Sequence, residues 1–197
     1  MALFPMFLKL DGRRCLVVGA GIIAEEKIEG LLSTGAVIDV VAPEATPRIR
    51  ELARQKLMCW HQRRFRSTDL ENKFIVIAAT SSPASHDKIY RAARCAGVLC
   101  NVVDDPPHCD FYYGSVVKRG ALQIAISTAG KSPALSQRIR KLLEQQFGAE
   151  YEVWIEALGE AREKLFSRPM DPHVRKKLLH ILASDEMFAE FLRDKKK

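Results

Sequence analysis

Residues Arg14 to Ala24 constrain this chain more than any other stretch, and they read Arg-Cys-Leu-Val-Val-Gly-Ala-Gly-Ile-Ile-Ala. An apolar run, Cys15 to Val18, enters a turn holding Gly19 and Gly21, and a helical pattern begins at Ala24. This is the G-x-G-x-x-G/A arrangement that seats a dinucleotide pyrophosphate on a helix N-terminus. Gly19 permits the tight turn. Gly21 lets the backbone approach phosphate oxygens with no Cβ in the way, and Ala24 lets the helix pack close to the strand. Ala20, Ile22 and Ile23 complete the cradle, where the unpaired N–H groups of the first helical turn meet an anion along the helix dipole.

The flanks decide whether such a turn binds anything. Glu25 to Thr34 carries Ile28, Leu31 and Leu32 at helical spacing, with Gly35 as the expected C′ residue. Ala36 to Ala42 is rich in β-branched residues and closes at Pro43. Strand, glycine turn, helix and strand within roughly 30 residues form the βαβ unit this motif requires. At the tip of the second strand, Pro43 and Glu44 stand where an acid meets the ribose hydroxyls of NAD; Asp39 lies inside the strand and is expected to point elsewhere. The nearest arginine to hold a 2′-phosphate is Arg48, so the expected cofactor is NAD rather than NADP.

The alternation continues. A helix is expected over Pro47–Lys56, a short strand over Leu57–Trp60, and a buried strand over Lys73–Ala79. Ser82 is the N-cap and Pro83 the first residue of a helix that Gly97 ends. Val98–Val103 is the next strand, stopped by Asp104-Asp105-Pro106-Pro107. The predicted fold class is α/β, a Rossmann-type parallel sheet with helices on both faces. Beyond it the pattern changes. Ser115–Lys118 and Ala121–Ser127 read as two strands around Arg119-Gly120, followed by a helix from Pro133 to about Phe147 and by helices over 149–166, 172–183 and 185–193. The expected division is a cofactor-binding domain at 1–112, a small α+β dimerisation segment at 113–148 and a helical C-terminal tail at 149–197. A strand pair with one helix cannot bury both faces alone, and pairing with an identical segment, as a homodimer, would cover them.

Composition narrows the function classes. The net charge is +7 over 197 residues. No apolar run reaches membrane-span length, Met1–Leu10 lacks a signal-peptide plan, and a soluble cytoplasmic protein is expected. The five cysteines are scattered, without zinc or redox C-x-x-C spacing. No nucleic-acid signature accompanies the basic balance, and Lys195-Lys196-Lys197 reads as a solvated tail. An anionic small molecule fits the charge. Gly130-Lys131-Ser132 imitates a nucleotide phosphate loop, but Ala125 stands where that signature needs glycine. With Thr128, the loop offers hydroxyls, backbone N–H groups, an ammonium and a helix start, a set suited to substrate carboxylates.

Several pieces together carry a more specific resemblance. They are Leu3-Phe-Pro-Met-Phe-Leu8, Gly19-Ala-Gly21 with Ala24-Glu-Glu-Lys27, Gly35-Ala36 leading to Val41-Ala-Pro43, and Ala78-Ala-Thr80. Cys100-Asn-Val-Val-Asp104, Cys109-Asp-Phe111, Ile124-Ala-Ile-Ser-Thr128 and Gly130-Lys-Ser-Pro133 follow in order. Over residues 1–147, and loosely beyond, the chain resembles the precorrin-2 dehydrogenase and sirohydrochlorin ferrochelatase family, the N-terminal half of siroheme synthase. It departs at Ala20, where many relatives have glycine, and at Tyr112-Tyr113-Gly114, where apolar residues and a proline are more common. The resemblance implies NAD-dependent dehydrogenation of precorrin-2, a tetrapyrrole polycarboxylate, to sirohydrochlorin. Some relatives then insert Fe²⁺; whether this chain does so, and whether Fe²⁺ is a transient partner, stays open. No room remains for a methyltransferase domain, so another protein would methylate the substrate.

The same resemblance assigns roles. Asp104 ends a parallel strand, beyond which ligands of open α/β sheets bind, and is the expected catalytic residue, taking the proton released as hydride leaves. Asp105 is expected to be a solvated turn residue. Thr80 and Ser81 are expected at the cofactor, Asn101 and Val103 at the nicotinamide crevice, and Thr128, Gly130, Lys131 and Ser132 at the substrate. His108 and Cys109 are too few to define a metal site, and none is expected. His61, His86, His173 and His180 show no constellation, and Arg138, Arg140 and Lys141 read as a solvated helix face. The alternative of another class is a non-catalytic NAD-sensing regulatory module, which needs neither Asn101–Asp104 nor the Ser127–Pro133 loop.

Overall fold

Parallel strands buried on both faces read as near-continuous apolar runs, and Cys15–Val18 and Ile75–Ala78 do, while Asp39 and Asn101 are buried polar exceptions in the strands beside them. In the computed structural model, which describes residues 3–194, β1 (Arg14–Val18), β2 (Val37–Val41), β3 (Cys59–His61), β4 (Ile75–Ala78) and β5 (Leu99–Val102) form one parallel sheet. Its order is β3-β2-β1-β4-β5, with β1 central and the chain reversing direction across it. Alternate residues feed two cores. Cys15, Val17, Ile38, Val40 and Ile77 pack against α1 (Ile22–Leu32) and α2 (Pro47–Arg54). Leu16, Val18, Val76, Cys100 and Val102 pack against Ile89 and Ala93 of α3 (Pro83–Ala96) and Leu70 of a 3-10 turn. Each such buried aliphatic side chain contributes about 1.5–3 kcal/mol, which fixes the strand ends that build the site.

Boundaries shift where local capping wins over pattern. The third strand begins at Cys59 rather than Leu57. Lys56 adopts φ +58, and the Leu57 N–H bonds back to the Leu52 carbonyl, so Leu57 closes the end of α2. Helix α1 starts at Ile22, with Gly21 as its N-cap, and ends at Leu32. Gly35 is therefore not its C′ residue; Thr34 and Gly35 donate to the Leu31 and Leu32 carbonyls, and Gly35 turns the chain into β2 at φ +74. Ser82 caps α3 through Ser85 N–H, and Gly97 ends it at φ +66, both as expected.

The chain divides into two compact units, Met1–Tyr112 and Tyr113–Lys197. In the second, β6 (Ser115–Arg119) and β7 (Leu122–Ile126) pair antiparallel around a two-residue turn at Gly120 and Ala121. Helices α4 (Pro133–Gln146), α5 (Glu150–Phe166), α6 (Pro172–Leu182) and α7 (Asp185–Asp194) follow. Ser132 caps α4 ahead of Pro133, and at its far end the Arg119 guanidinium donates to the Glu144 and Phe147 carbonyls. Helix α5 packs on β7 and joins α7 through rings of Tyr151, Trp154, Phe188 and Phe191, so 113–148 and 149–194 share one unit. Only Val117 and Ser136 are buried among its described residues, while Leu135, Leu142 and Ile181 are about half exposed. No described helix is long and apolar enough to cross a membrane, and the Lys195–Lys197 tail lies outside the described residues.

Candidate functional site

The order reversal at β1 opens a crevice beyond the C-terminal ends of the strands, where open α/β sheets bind ligands. Its volume is about 1370 Å³, above the roughly 300–1,000 Å³ of ordinary small-ligand pockets and suited to an extended dinucleotide. The turn from Gly19 to Ile23 forms its floor, Pro43 and Glu44 one end, and Thr80, Ser81, Val103 and Asp104 the other. Ala24 is fully buried in the core behind the floor, the packing role its small side chain permits. The first bond inside α1 runs from Glu25 N–H to the Gly21 carbonyl, so the N–H groups of Ile22, Ile23 and Ala24 lie ahead of the helical ladder.

Three observations show that these residues fit a dinucleotide. Gly19 sits at φ +106, and a Cβ there would come within 2.2 Å of the Ala79 carbonyl oxygen, so the turn can only be this close to β4 with glycine. At Gly21 a Cβ would meet nothing within 4 Å, which leaves open crevice above the backbone at the position meant for phosphate. The Thr80 hydroxyl is buried in the wall and has no hydrogen-bond partner among the described residues, a group left for a ligand to satisfy.

At the strand-tip end, Glu44 is exposed in the crevice and Arg48 is turned away onto Glu29 at 3.2 Å. Arg64 and Phe65, unforeseen in the sequence, also line the crevice. They come from an irregular stretch after β3, where no periodicity marks a direction.

Asp104 stands in the third position of a turn closed by Asp105 N–H on the Val102 carbonyl (3.2 Å) and adopts φ +60. Aspartate tolerates this left-handed conformation better than most residues. The side chain is exposed at the crevice and makes no hydrogen bond among the described residues. Asn101 does not line the crevice, contrary to expectation. It is buried and its amide donates to the Phe111 carbonyl (2.8 Å), while Asp110 accepts from Cys100 N–H (2.9 Å). Together they fold the segment after Asp104 back along β5. Burial pushes the Cys100 thiol up to about 12, with the Asp110 charge adding to it, and Cys15 up to about 11, so both are inert packing groups. All five cysteines are free thiols.

Asp105 is half-buried rather than solvated, and it faces His86 and His108. Asp39 does point away from the crevice, as expected, into a cluster with Lys73, Arg14 and His61. Burial alone would raise its pKa, but the bonds from Lys73, His61 and Arg14 together hold the carboxyl below its ordinary 3.8. Register places Cys59 opposite Asp39 and His61 two residues further on the same face, so the three ligand atoms lie within 4.8 Å of one another. The Asp39 carboxylate is already engaged by cations, which works against a metal ion there.

In the second unit, the loop before α4 is braced internally. Thr128 Oγ1 accepts from Ser132 N–H (3.1 Å), Ser127 Oγ accepts from Ala129 N–H, and Ala129 and Gly130 have φ +51 and +78. Arg140 is paired with Glu144 along the helix.

Comparison with known proteins agrees with this geometry. The family described as "Putative NAD(P)-binding" matches residues 6–115, and the central segment of sirohaem biosynthesis proteins matches 119–146. A siroheme synthase of Photorhabdus laumondii is 35% identical over 168 residues, covering 85% of this chain and 36% of that protein. One from Neisseria meningitidis serogroup C is 38% identical over 144 residues, covering 73% and 30%. The chain thus spans about a third of the length of these relatives. The solved structure of SirC, a precorrin-2 dehydrogenase, superposes with a TM-score of 0.79 at 28% identity, covering 93% of this chain and 91% of that one. With its glycine turn, open crevice and family match over more than half its length, the chain belongs to the NAD-binding family of siroheme-biosynthesis proteins that includes this precorrin-2 dehydrogenase and these siroheme synthases.

Proposed function

We propose that the protein dehydrogenates precorrin-2 to sirohydrochlorin with NAD as cofactor. Bound NAD⁺ supplies a hydride acceptor. The residues of the chain do the rest. Ile22, Ile23 and Ala24 offer N–H groups to the pyrophosphate at a helix start, with Gly19, Ala20 and Gly21 keeping the floor low. Pro43 ends the strand, and Glu44 accepts from the ribose hydroxyls, which supports NAD over a 2′-phosphorylated form. Thr80, Ser81 and Val103 wall the other end, and Asn101 supports it from behind through Phe111. Asp104 takes the proton that leaves with the hydride, a role worth about 10²–10⁴ in rate. The observation that carries this reading is the exposed, uncommitted carboxylate of Asp104 on the wall of the same crevice as the glycine floor.

In the second unit, Thr128, Gly130, Lys131 and Ser132 receive carboxylates of the tetrapyrrole. The segment 113–148 pairs with its copy in a homodimer, a reading supported by its half-exposed Leu135 and Leu142. Five free thiols fit a reducing cytoplasm. The likeness to siroheme-biosynthesis proteins across 119–146 disfavours a purely NAD-sensing module. Purified protein given precorrin-2 and NAD⁺, first without and then with Fe²⁺, tests the reading. Sirohydrochlorin in the first step supports dehydrogenation, and metal uptake only after Fe²⁺ addition would extend the activity to chelation. NAD⁺ binding without tetrapyrrole turnover would favour the sensing module instead.

A further inference from the structure

Two histidines without partners in the sequence pattern meet at Asp105, next to the proposed base. His86 lies near the start of α3, and its Nε2 is 2.7 Å from the Thr80 carbonyl oxygen. A carbonyl only accepts, so Nε2 carries the hydrogen. Nδ1 of the same ring lies 3.5 Å from Asp105 Oδ2. His108 Nδ1 donates to that same oxygen at 2.8 Å, and its ring rests edge-on against Tyr90 of α3. The Asp105 backbone carbonyl receives the His108 N–H (3.0 Å). Asp105 is thereby held from its own turn on one side and from α3 on the other.

The two segments so joined are neighbouring parts of one end of the crevice wall. Thr80 belongs to the loop after β4, and Asp104 to the turn after β5. Asp104 itself holds a left-handed backbone conformation, φ +60, which persists only when the surroundings enforce it. Its side chain has no bond of its own to fix it among the described residues. His86 reaches both segments, with a side chain only 13% exposed.

We propose that His86 is a positioning residue: with a hydrogen on both ring nitrogens it donates from Nε2 to the Thr80 carbonyl and faces Asp105 with Nδ1 as a cation, so it locks the turn bearing Asp104 against the Thr80 loop and sets the place from which Asp104 takes its proton. The proposal rests on Asp104 being the base. A double-mutant cycle separates the two claims. Steady-state turnover of precorrin-2 with NAD⁺ is measured for the wild type, His86→Ala, Asp104→Ala and the double variant. Loss of alignment lowers kcat by about ten- to a hundredfold in His86→Ala, because a misplacement of about 1 Å costs that order, while KM for precorrin-2 stays within about threefold. In the Asp104→Ala background, removing His86 has no further effect on kcat. A merely structural role would lower the thermal midpoint but leave kcat per folded molecule intact. His86→Gln, which keeps a donor for Thr80 but loses the contact to Asp105, runs the same cycle should His86→Ala fail to fold, with a smaller loss of the same pattern. Wild-type kcat in the His86 variant, or losses that multiply in the double variant, would overturn the lock. Full turnover by Asp104→Ala would instead remove the base beneath it.

Discussion

Replacing Gly21 and Gly19 by alanine separates binding from folding within one motif. At Gly21 the backbone has φ −88 and a Cβ meets nothing within 4 Å, so the folded chain accepts the methyl group. The remaining cost is that alanine is a poorer N-cap than glycine, about 0.5 kcal/mol. For a unit of this size that lowers the melting midpoint by about 2–4 °C. The methyl group then occupies crevice space that the pyrophosphate needs. Losing one charge-assisted bond costs about 1.5–3 kcal/mol, so NAD⁺ affinity falls by about ten- to a hundredfold. At Gly19 the same methyl group would sit 2.2 Å from the Ala79 oxygen and 2.7 Å from its carbon, both backbone atoms, at φ +106. Strands β1 and β4 would have to part, and the variant loses several kcal/mol or does not fold. Calorimetric titration with NAD⁺, beside thermal melts of all three proteins, reads both effects. A Gly21→Ala protein that binds NAD⁺ as tightly as the wild type would refute the placement of the pyrophosphate, and a Gly19→Ala protein with an unchanged midpoint would refute the steric argument.

Other outcomes follow from the same geometry. Asp104→Gly relieves the left-handed strain but adds unfolded-chain entropy worth about 0.4–1 kcal/mol, so the two nearly cancel and the melting midpoint stays close to that of the wild type, while turnover falls at least a hundredfold; a matched assay and melt check both. Glu44→Gln weakens NAD⁺ binding by about tenfold through loss of a charged acceptor, measured by titration. Asp39 and Asp69 are buried, which alone would raise them, yet Lys73 with His61 and Arg14, and Arg63 with Arg66 N–H, hold both below the ordinary 3.8. Their contribution is complete above that value and is lost as pH falls through the folded-state values, so the melting midpoint drops from about pH 4 downward. Lys73→Met removes the tightest of three partners of Asp39 while Arg14 and His61 remain, costs about 1–3 kcal/mol and makes that acid slope shallower, seen in urea melts at a series of pH values.

Much of the scaffold was legible because its signals are local. The continuous apolar runs of β1 and β4, the capping of α3 by Ser82 and Gly97, and the glycine turn are written within a few residues of where they act. Leu57 misled because an apolar residue can close a helix as readily as it can begin a strand, and only the φ of Lys56 decides between them. Gly35 misled because helix α1 ended early in a tight turn. The crevice walls were legible in part. Glu44, Thr80, Ser81 and Asp104 follow strands, and parallel strands deliver their following loops to one edge. Arg64 and Phe65 follow β3 through irregular chain, and Asn101 is turned inward by a carbonyl ten residues away. His86 and Asp105 are 19 positions apart and meet only because β4 and β5 are neighbours, a pairing no local pattern carries.

The central claim is that a dinucleotide and a tetrapyrrole react across one crevice under the control of Asp104. Following NADH and sirohydrochlorin together as the wild type and Asp104→Ala consume precorrin-2 tests it most directly. The account predicts equal amounts of the two products from the wild type and loss of both in the variant; no NADH from the wild type, or equal rates from the two proteins, would contradict it.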